Sequence, residues 1–151
     1  MVNIKMRYIK LFEELNCKIT SEKTEDIYHF VARVGNEKVG SLVAQYILYD
    51  YVWFDGIISQ DDYDDLFDGD PYFIIEDVKV DLHYQRSGIG AQLMNAAIEK
   101  IKKMGIKNIV LNACPIGKDI PLNQLVKWYV KLGFKVFKNQ GNNVIMIMRI
   151  K

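Results

Sequence analysis

The sequence predicts an α/β domain built from β-hairpins and amphipathic helices, and three stretches carry that prediction. Gln85-Arg86-Ser87-Gly88-Ile89-Gly90 stands between an apolar run ending at Val80 and residues 91–104, where apolar positions recur at helical spacing. The order is strand, glycine turn, helix. Residues 28–34 and 39–48 are apolar-rich runs on either side of Gly35-Asn36-Glu37-Lys38, a hairpin signal. Residues 122–132 have helical periodicity stopped by Gly133, and residues 134–137 and 144–150 close a hairpin across Asn139-Gln140-Gly141-Asn142-Asn143.

The remaining elements follow in chain order. Residues 2–11 read as a strand turning at Glu13-Glu14-Leu15-Asn16, and residues 11–26 leave room for little more than one short helix. Residues 49–54 either continue the second hairpin strand or bend away from it. Asp55, Asp61, Asp62, Asp64, Asp65, Asp68 and Asp70 then crowd one expected loop, with Tyr63 and Phe67 among them. The spacing does not spell an EF-hand. The loop is either a solvated acidic surface or one in which Asp61, Asp62, Asp64 and Asp65 draw a cationic substrate, with neighbouring aromatic faces adding cation–π contacts.

Residues 73–80 are expected as the central strand, with Ile74, Glu76, Val78 and Val80 on one face and Ile75, Asp77 and Lys79 on the other. In the following helix Leu93, Met94, Ala97, Ile98, Ile101 and Met104 are expected in the core, with Gly105 as the stop. Residues 106–113 read as a buried strand ending at Cys114-Pro115.

Length and composition set the class. A chain of 151 residues fits one domain burying roughly two thirds of its unfolded surface. Half the residues are hydrophobic and 26% charged, which suits a globular protein and argues against a disordered one. A net charge of +1 supplies no basic field for nucleic acid, which is not an expected partner. Cys17 and Cys114 suit a reducing compartment, although the two could pair. No secretory leader is read at Met1-Val2-Asn3-Ile4-Lys5 and no apolar run is of membrane-spanning length. The expected location is the cytoplasm, with no membrane partner; a homodimer is compatible with this composition.

The glycine turn has two readings. A turn that opens a helix aims unpaired backbone N–H groups and the positive end of the helix dipole at one spot, where a phosphate would bind. Alternatively, the glycines only permit positive φ and close strand-to-helix packing. The turn is not a P-loop, because no Gly-Lys-Ser/Thr follows, and it lacks the third glycine of the dinucleotide fingerprint.

Gln85-x-x-Gly88-x-Gly90 after Glu76-Asp77-Val78-Lys79-Val80, followed by Trp128-Tyr129-Val130-Lys131-Leu132-Gly133-Phe134, resembles the GCN5-related N-acetyltransferase (GNAT) family. The resemblance is specific from about residue 73 onward and loose over residues 30–45; the first twenty-five residues and residues 55–70 do not fit. It implies a mixed, mostly antiparallel central sheet with a splayed central strand pair, flanked by helices. The whole of residues 1–151 would be one such domain, with its N-terminal helical region shortened and an acidic insertion at about 55–70. The cosubstrate implied is acetyl-coenzyme A, with no metal, and the acceptor an amine.

The resemblance also assigns residues. Gln85, Arg86, Ser87, Gly88, Ile89, Gly90 and Ala91 would hold the pyrophosphate, and the backbone at Val78 and Val80 would pair with the pantetheine arm. Asn123 lies near the place where many members carry an asparagine that contacts coenzyme A. Tyr129 would protonate the departing thiolate or hydrogen-bond to its sulfur. Glu76 would be the general base, or else a strand glutamate in a structural ion pair. Cys114 is expected as a small buried cysteine rather than an acyl-carrying thiol, since no histidine stands near it in sequence. The implied activity is acetyl transfer to a primary amine by direct attack. The competing reading is a non-catalytic acyl-coenzyme A-binding regulatory or protein-interaction module.

Overall fold

The structure, a computed structural model, describes residues 16–48, 59–85, 87–115 and 120–151. The expectations for residues 2–11, 49–54, Asp55 and Arg86 lie outside these residues. Seven strands are described, in the sheet order β1-β2-β3-β4-β5-β7-β6. β1 (Cys17–Thr24) pairs antiparallel with β2 (Ile27–Val34), and β3 (Glu37–Ile47) follows across the turn at Gly35. β4 (Tyr72–Val80) pairs parallel with β5 (Asn108–Ala113), while β7 (Asn143–Arg149) pairs antiparallel with both β5 and β6 (Lys135–Gln140). The mostly antiparallel sheet flanked by helices is thus as expected. Of residues 11–26, which leave room for little more than one short helix, Cys17–Thr24 are strand and mostly exposed.

The β4–β5 ladder registers Phe73–Ile75 against Ile109–Leu111, and β4 runs on beyond it to Val80. Just past the last registered residue, Asp77 takes a left-handed backbone, φ +50. Such a residue bends a strand locally. Burial follows the bend: Tyr72 to Ile75 are all buried, and beyond them Glu76, Val78 and Val80 are half-buried while Asp77 and Lys79 are exposed.

The chain forms two compact units, residues 1–44 with 76–100 and residues 45–75 with 101–151. In the first, helix α2 (Ile89–Lys103) lays Ile89, Leu93, Met94 and Ala97 into the interior, where Phe30, Ala32, Val39, Leu42 and Ala44 of the hairpin are also buried. Met104, expected in the core, is instead 39% exposed, because the helix has already ended. In the second unit Ile109, Val110 and Leu111 of β5 and Val144, Ile145 and Met146 of β7 are buried, and α3 (Leu122–Leu132) buries Tyr129.

The largest departure from expectation is the acidic segment. Gln60–Phe67 is not a loop but a helix, α1. Ser59 caps it: its hydroxyl accepts the Asp62 N–H at 3.1 Å while the Asp62 carboxylate accepts the Ser59 N–H at 3.4 Å. This reciprocal pair satisfies helix-end donors, and the acidic first turn suits the helix dipole. Tyr63, Leu66 and Phe67 fall at i, i+3 and i+4, one face of a helix, and join Ile47, Tyr72, Ile74, Val110 and Ile145 in a single cluster. Phe67 stacks on Tyr72 with centroids 4.1 Å apart, and Tyr63 meets both rings edge-on. Lys138 pairs with Asp62 at 3.2 Å and the Arg149 guanidinium donates to the Leu66 carbonyl at 3.2 Å, so both ends of α1 are tied to the β6–β7 hairpin. Asp68, with φ +46, terminates the helix.

If α1 is anchored by this aromatic stack, Phe67→Ala should destabilise the protein by about 3–5 kcal/mol, the usual loss for a buried phenylalanine. Urea unfolding followed by circular dichroism measures it; an unchanged midpoint would mean that α1 does not dock.

Candidate active site

Chemistry-bearing residues gather at the exit of β4 in the first unit. The Asp81 N–H donates to the Val39 carbonyl at 2.8 Å, which fixes where the chain leaves the strand. A single 3-10 turn, Leu82–Tyr84, follows. The Gln85 side-chain amide then reaches back to the Val80 carbonyl at 3.1 Å, and both the N–H and the hydroxyl of Ser87 donate to the Tyr84 carbonyl. Gly88 has φ +89, a conformation that costs any other residue strain, and α2 begins at Ile89.

The first intrahelical bond from this end runs from the Gln92 N–H to the Gly88 carbonyl at 3.0 Å. By helix geometry the N–H groups of Ile89, Gly90 and Ala91 come too early to find an acceptor within the helix. Many helices fill this position with a Ser, Thr or Asp side chain. Here the preceding residue is a glycine, with no side chain to occupy it, and the first turn carries no acidic residue to repel an anion. The arrangement suits an external anion such as a phosphate.

Glu76 stands in the same unit, half-buried on β4 with Val78 and Val80. Burial pushes its carboxyl above the ordinary glutamate range, and the neighbouring Asp77 carboxylate pushes it further the same way. Both causes run opposite to what an ion pair with a cation would do. A raised pKa also makes the carboxylate a stronger base, closer to the pH at which it would work.

Tyr129 lies in the second unit, on the buried face of α3, and its setting explains the spacing Tyr129-x-x-x-Gly133-Phe134. The Gly133 N–H donates to the Val130 carbonyl at 3.0 Å and the Phe134 N–H to the Tyr129 carbonyl at 3.1 Å. With Gly133 left-handed at φ +111, this is a Schellman ending. The rings of Phe134 and Tyr129 meet edge-on at 5.9 Å, the apolar contact that accompanies such a terminus, and Trp128 packs at 5.0 Å. Burial pushes the Tyr129 hydroxyl up to about 12, so it stays protonated at working pH and serves as a donor.

The other candidates are placed as follows. Asn123 is exposed at the start of α3, where its side-chain oxygen accepts the Gln124 N–H at 2.9 Å. Asp61, Asp64 and Asp65 are exposed on α1, Asp64 accepting from the Gln60 side chain, while Asp62 is engaged by Ser59 and Lys138. Cys114 is exposed, not buried as expected, because β5 ends one residue before it. Among the described residues no His, Cys, Asp and Glu cluster could hold a metal ion, and no helix is long and apolar enough to cross a membrane. The sequence reading passed over Gly40, whose signal was an isolated glycine inside a strand, a mark of close backbone approach.

Comparison with known proteins agrees with the motifs. The chain is similar in structure to the PaiA N-acetyltransferase of Thermoplasma acidophilum in complex with coenzyme A: TM-score 0.56, 20% identity, 82% of this chain covered. It spans only 61% of that longer protein. A GNAT family acetyltransferase from Elizabethkingia anophelis with acetyl-CoA bound gives a TM-score of 0.58 at 17% identity, covering 89% of this chain and 99% of that one. The ribosomal-protein-S18-alanine N-acetyltransferase of Escherichia coli gives 0.56 at 17% identity, over 94% and 76%. At these identities the likeness is one of fold. A search of curated proteins found no match. The family model described as an acetyltransferase (GNAT) domain, however, matches residues 25–136, most of the chain and both motifs within it, and the protein therefore belongs to the GNAT acetyltransferase family.

Proposed function

We propose that the protein transfers the acetyl group of acetyl-coenzyme A to a primary amine by direct attack. The observation that carries this reading is the start of α2 behind Gly88, whose first N–H groups have no acceptor within the helix and whose uncharged first turn fits a pyrophosphate. Acetyl-coenzyme A, when bound, supplies an acyl group activated as a thioester. The backbone N–H groups from Ser87 to Ala91 would hold the pyrophosphate and so orient the reacting end, while the β4 backbone at Val78 and Val80 would take the pantetheine arm. A backbone N–H near Val78, just beyond the left-handed Asp77, would stabilise charge developing on the acyl oxygen.

Two side chains would handle protons. An ammonium has no lone pair, so the acceptor must first lose a proton; Glu76, directly or through water, is the base. Tyr129 would act on the departing sulfur. A hydroxyl pushed up to about 12 is a weaker acid than a thiol, so its contribution is hydrogen-bond donation to the thiolate rather than outright proton transfer.

Tyr129→Phe should therefore lower kcat by about ten- to a thousandfold while leaving the KM for acetyl-coenzyme A unchanged, because the bond forms only as charge builds on sulfur. The phenylalanine keeps the ring contacts, so the unfolding midpoint should hold. Steady-state kinetics following release of coenzyme A thiol decide it; an unaltered kcat in a chemistry-limited assay removes Tyr129 from the mechanism.

Glu76→Gln should depress the rate most on the acid side of neutrality, where the amine is most protonated. The stability consequence has a definite sign. A carboxyl raised in the folded state binds its proton more tightly there than in the unfolded chain, so stability is greatest below the ordinary glutamate pKa and declines as pH rises through the raised value. Removing the charge should raise the melting temperature at neutral pH and not in acid. A structural ion pair predicts a fall at neutral pH, and that result, with an unchanged pH–rate profile, would exclude Glu76 as the base.

A further inference from the structure

Gly40 sits in β3 with ordinary strand backbone, so no positive φ calls for a glycine there. Space does. A Cβ at this position would lie 3.1 Å from the Leu93 Cδ1 atom, 3.1 Å from the Lys79 carbonyl oxygen and 3.2 Å from the Ile89 Cγ2 atom. All three are closer than carbon normally approaches a non-bonded neighbour. Two of these atoms belong to the opening turns of α2, on residues with no exposure at all, and the third is the backbone of β4. The adjacent Val39 carbonyl holds the Asp81 N–H at the exit of β4.

We propose that Gly40 is a positioning residue for the anion cradle: its missing side chain lets the start of α2 seat against β3 and β4, and this seat sets where the N–H groups of Ile89, Gly90 and Ala91 point. The inference rests on the coenzyme A reading of that cradle. Ile89 couples the two directly, since its side chain is against Gly40 and its N–H is in the cradle. A methyl group at position 40 cannot be absorbed by the flexible end of one side chain, because the Lys79 carbonyl bounds the same space. Either the helix start or β4 shifts by a fraction of an ångström. Hydrogen bonds aimed at one ligand are sensitive to such shifts, a 1 Å misplacement costing on the order of a hundredfold.

The test is titration calorimetry with coenzyme A on the wild type, Gly40→Ala, Gly40→Val and Leu42→Ala. Leu42 is fully buried in the same strand, and its truncation weakens the core without crowding α2. Gly40→Ala should weaken binding by roughly tenfold and Gly40→Val by about a hundredfold, while Leu42→Ala, though less stable, should bind as the wild type does. The KM for acetyl-coenzyme A should rise in Gly40→Ala in step with the weaker binding and hold in Leu42→Ala. A merely structural glycine would instead lower the melting temperature of Gly40→Ala and leave its affinity equal to that of Leu42→Ala, which would overturn the inference. If Gly40→Ala does not fold under these conditions, the same titrations are made at low temperature in a stabilising osmolyte: binding weaker than that of Leu42→Ala supports crowding as the cause, and affinity equal to it overturns the inference. A wild type that does not bind coenzyme A sinks the proposed function and this inference with it; a binding wild type matched by Gly40→Ala sinks only the latter.

Discussion

The backbone at Asp77 is the constraint on which the candidate site depends. A left-handed residue inside a strand costs about 1 kcal/mol or more and persists only where its flanks are fixed. They are fixed here. On one side Phe73 to Ile75 are buried and locked in register with β5; on the other the Asp81 N–H is held by the Val39 carbonyl. An aspartate tolerates this conformation better than most residues. The result is one strand with two uses: its first half supplies core, and its second half presents half-buried backbone and the carboxyl of Glu76.

The two motifs that mark the family have plain physical contents. Around Gly88 the chain does three things: it ties the turn to the strand end through Gln85, takes a positive φ, and opens a helix whose first N–H groups precede any intrahelical acceptor. Around Gly133 it ends a helix so that the two aromatic residues of the motif must touch, which fixes the ring of Tyr129. Glycine is needed at both for handedness, and at Gly40 for room.

Much of this was legible in the sequence. The hairpin at Gly35, the helix opened by the glycine turn, the helix stopped by Gly133 and the closing hairpin are each announced by local turn chemistry and by period. The same local logic explains the miss at Gln60–Phe67. Seven aspartates across the region mask an apolar face of Tyr63, Leu66 and Phe67, and the helix is decided by the Ser59–Asp62 cap together with long-range contacts to Tyr72, Lys138 and Arg149. Cys17–Thr24 is likewise strand through pairing with β2, since none of its own residues is buried. The site was legible where chemistry rides on backbone geometry. It was less so at Gly40, where a lone glycine in a strand marks a close approach but only three-dimensional packing reveals the neighbours a side chain would meet.

The central claim is that the start of α2 holds the pyrophosphate of coenzyme A. The most direct measurement is an amide NMR titration of the wild type and Gly88→Asp with coenzyme A and, separately, with pantetheine, which lacks the pyrophosphate. The account predicts that coenzyme A shifts the amide resonances of Ser87 to Ala91 while pantetheine leaves them in place. In Gly88→Asp, where the added carboxylate repels the phosphates and a side chain has open space around it, the fold should persist and those shifts should vanish. Coenzyme A that leaves the Ser87–Ala91 resonances of the wild type unmoved, or binds Gly88→Asp with the same shifts, would contradict it.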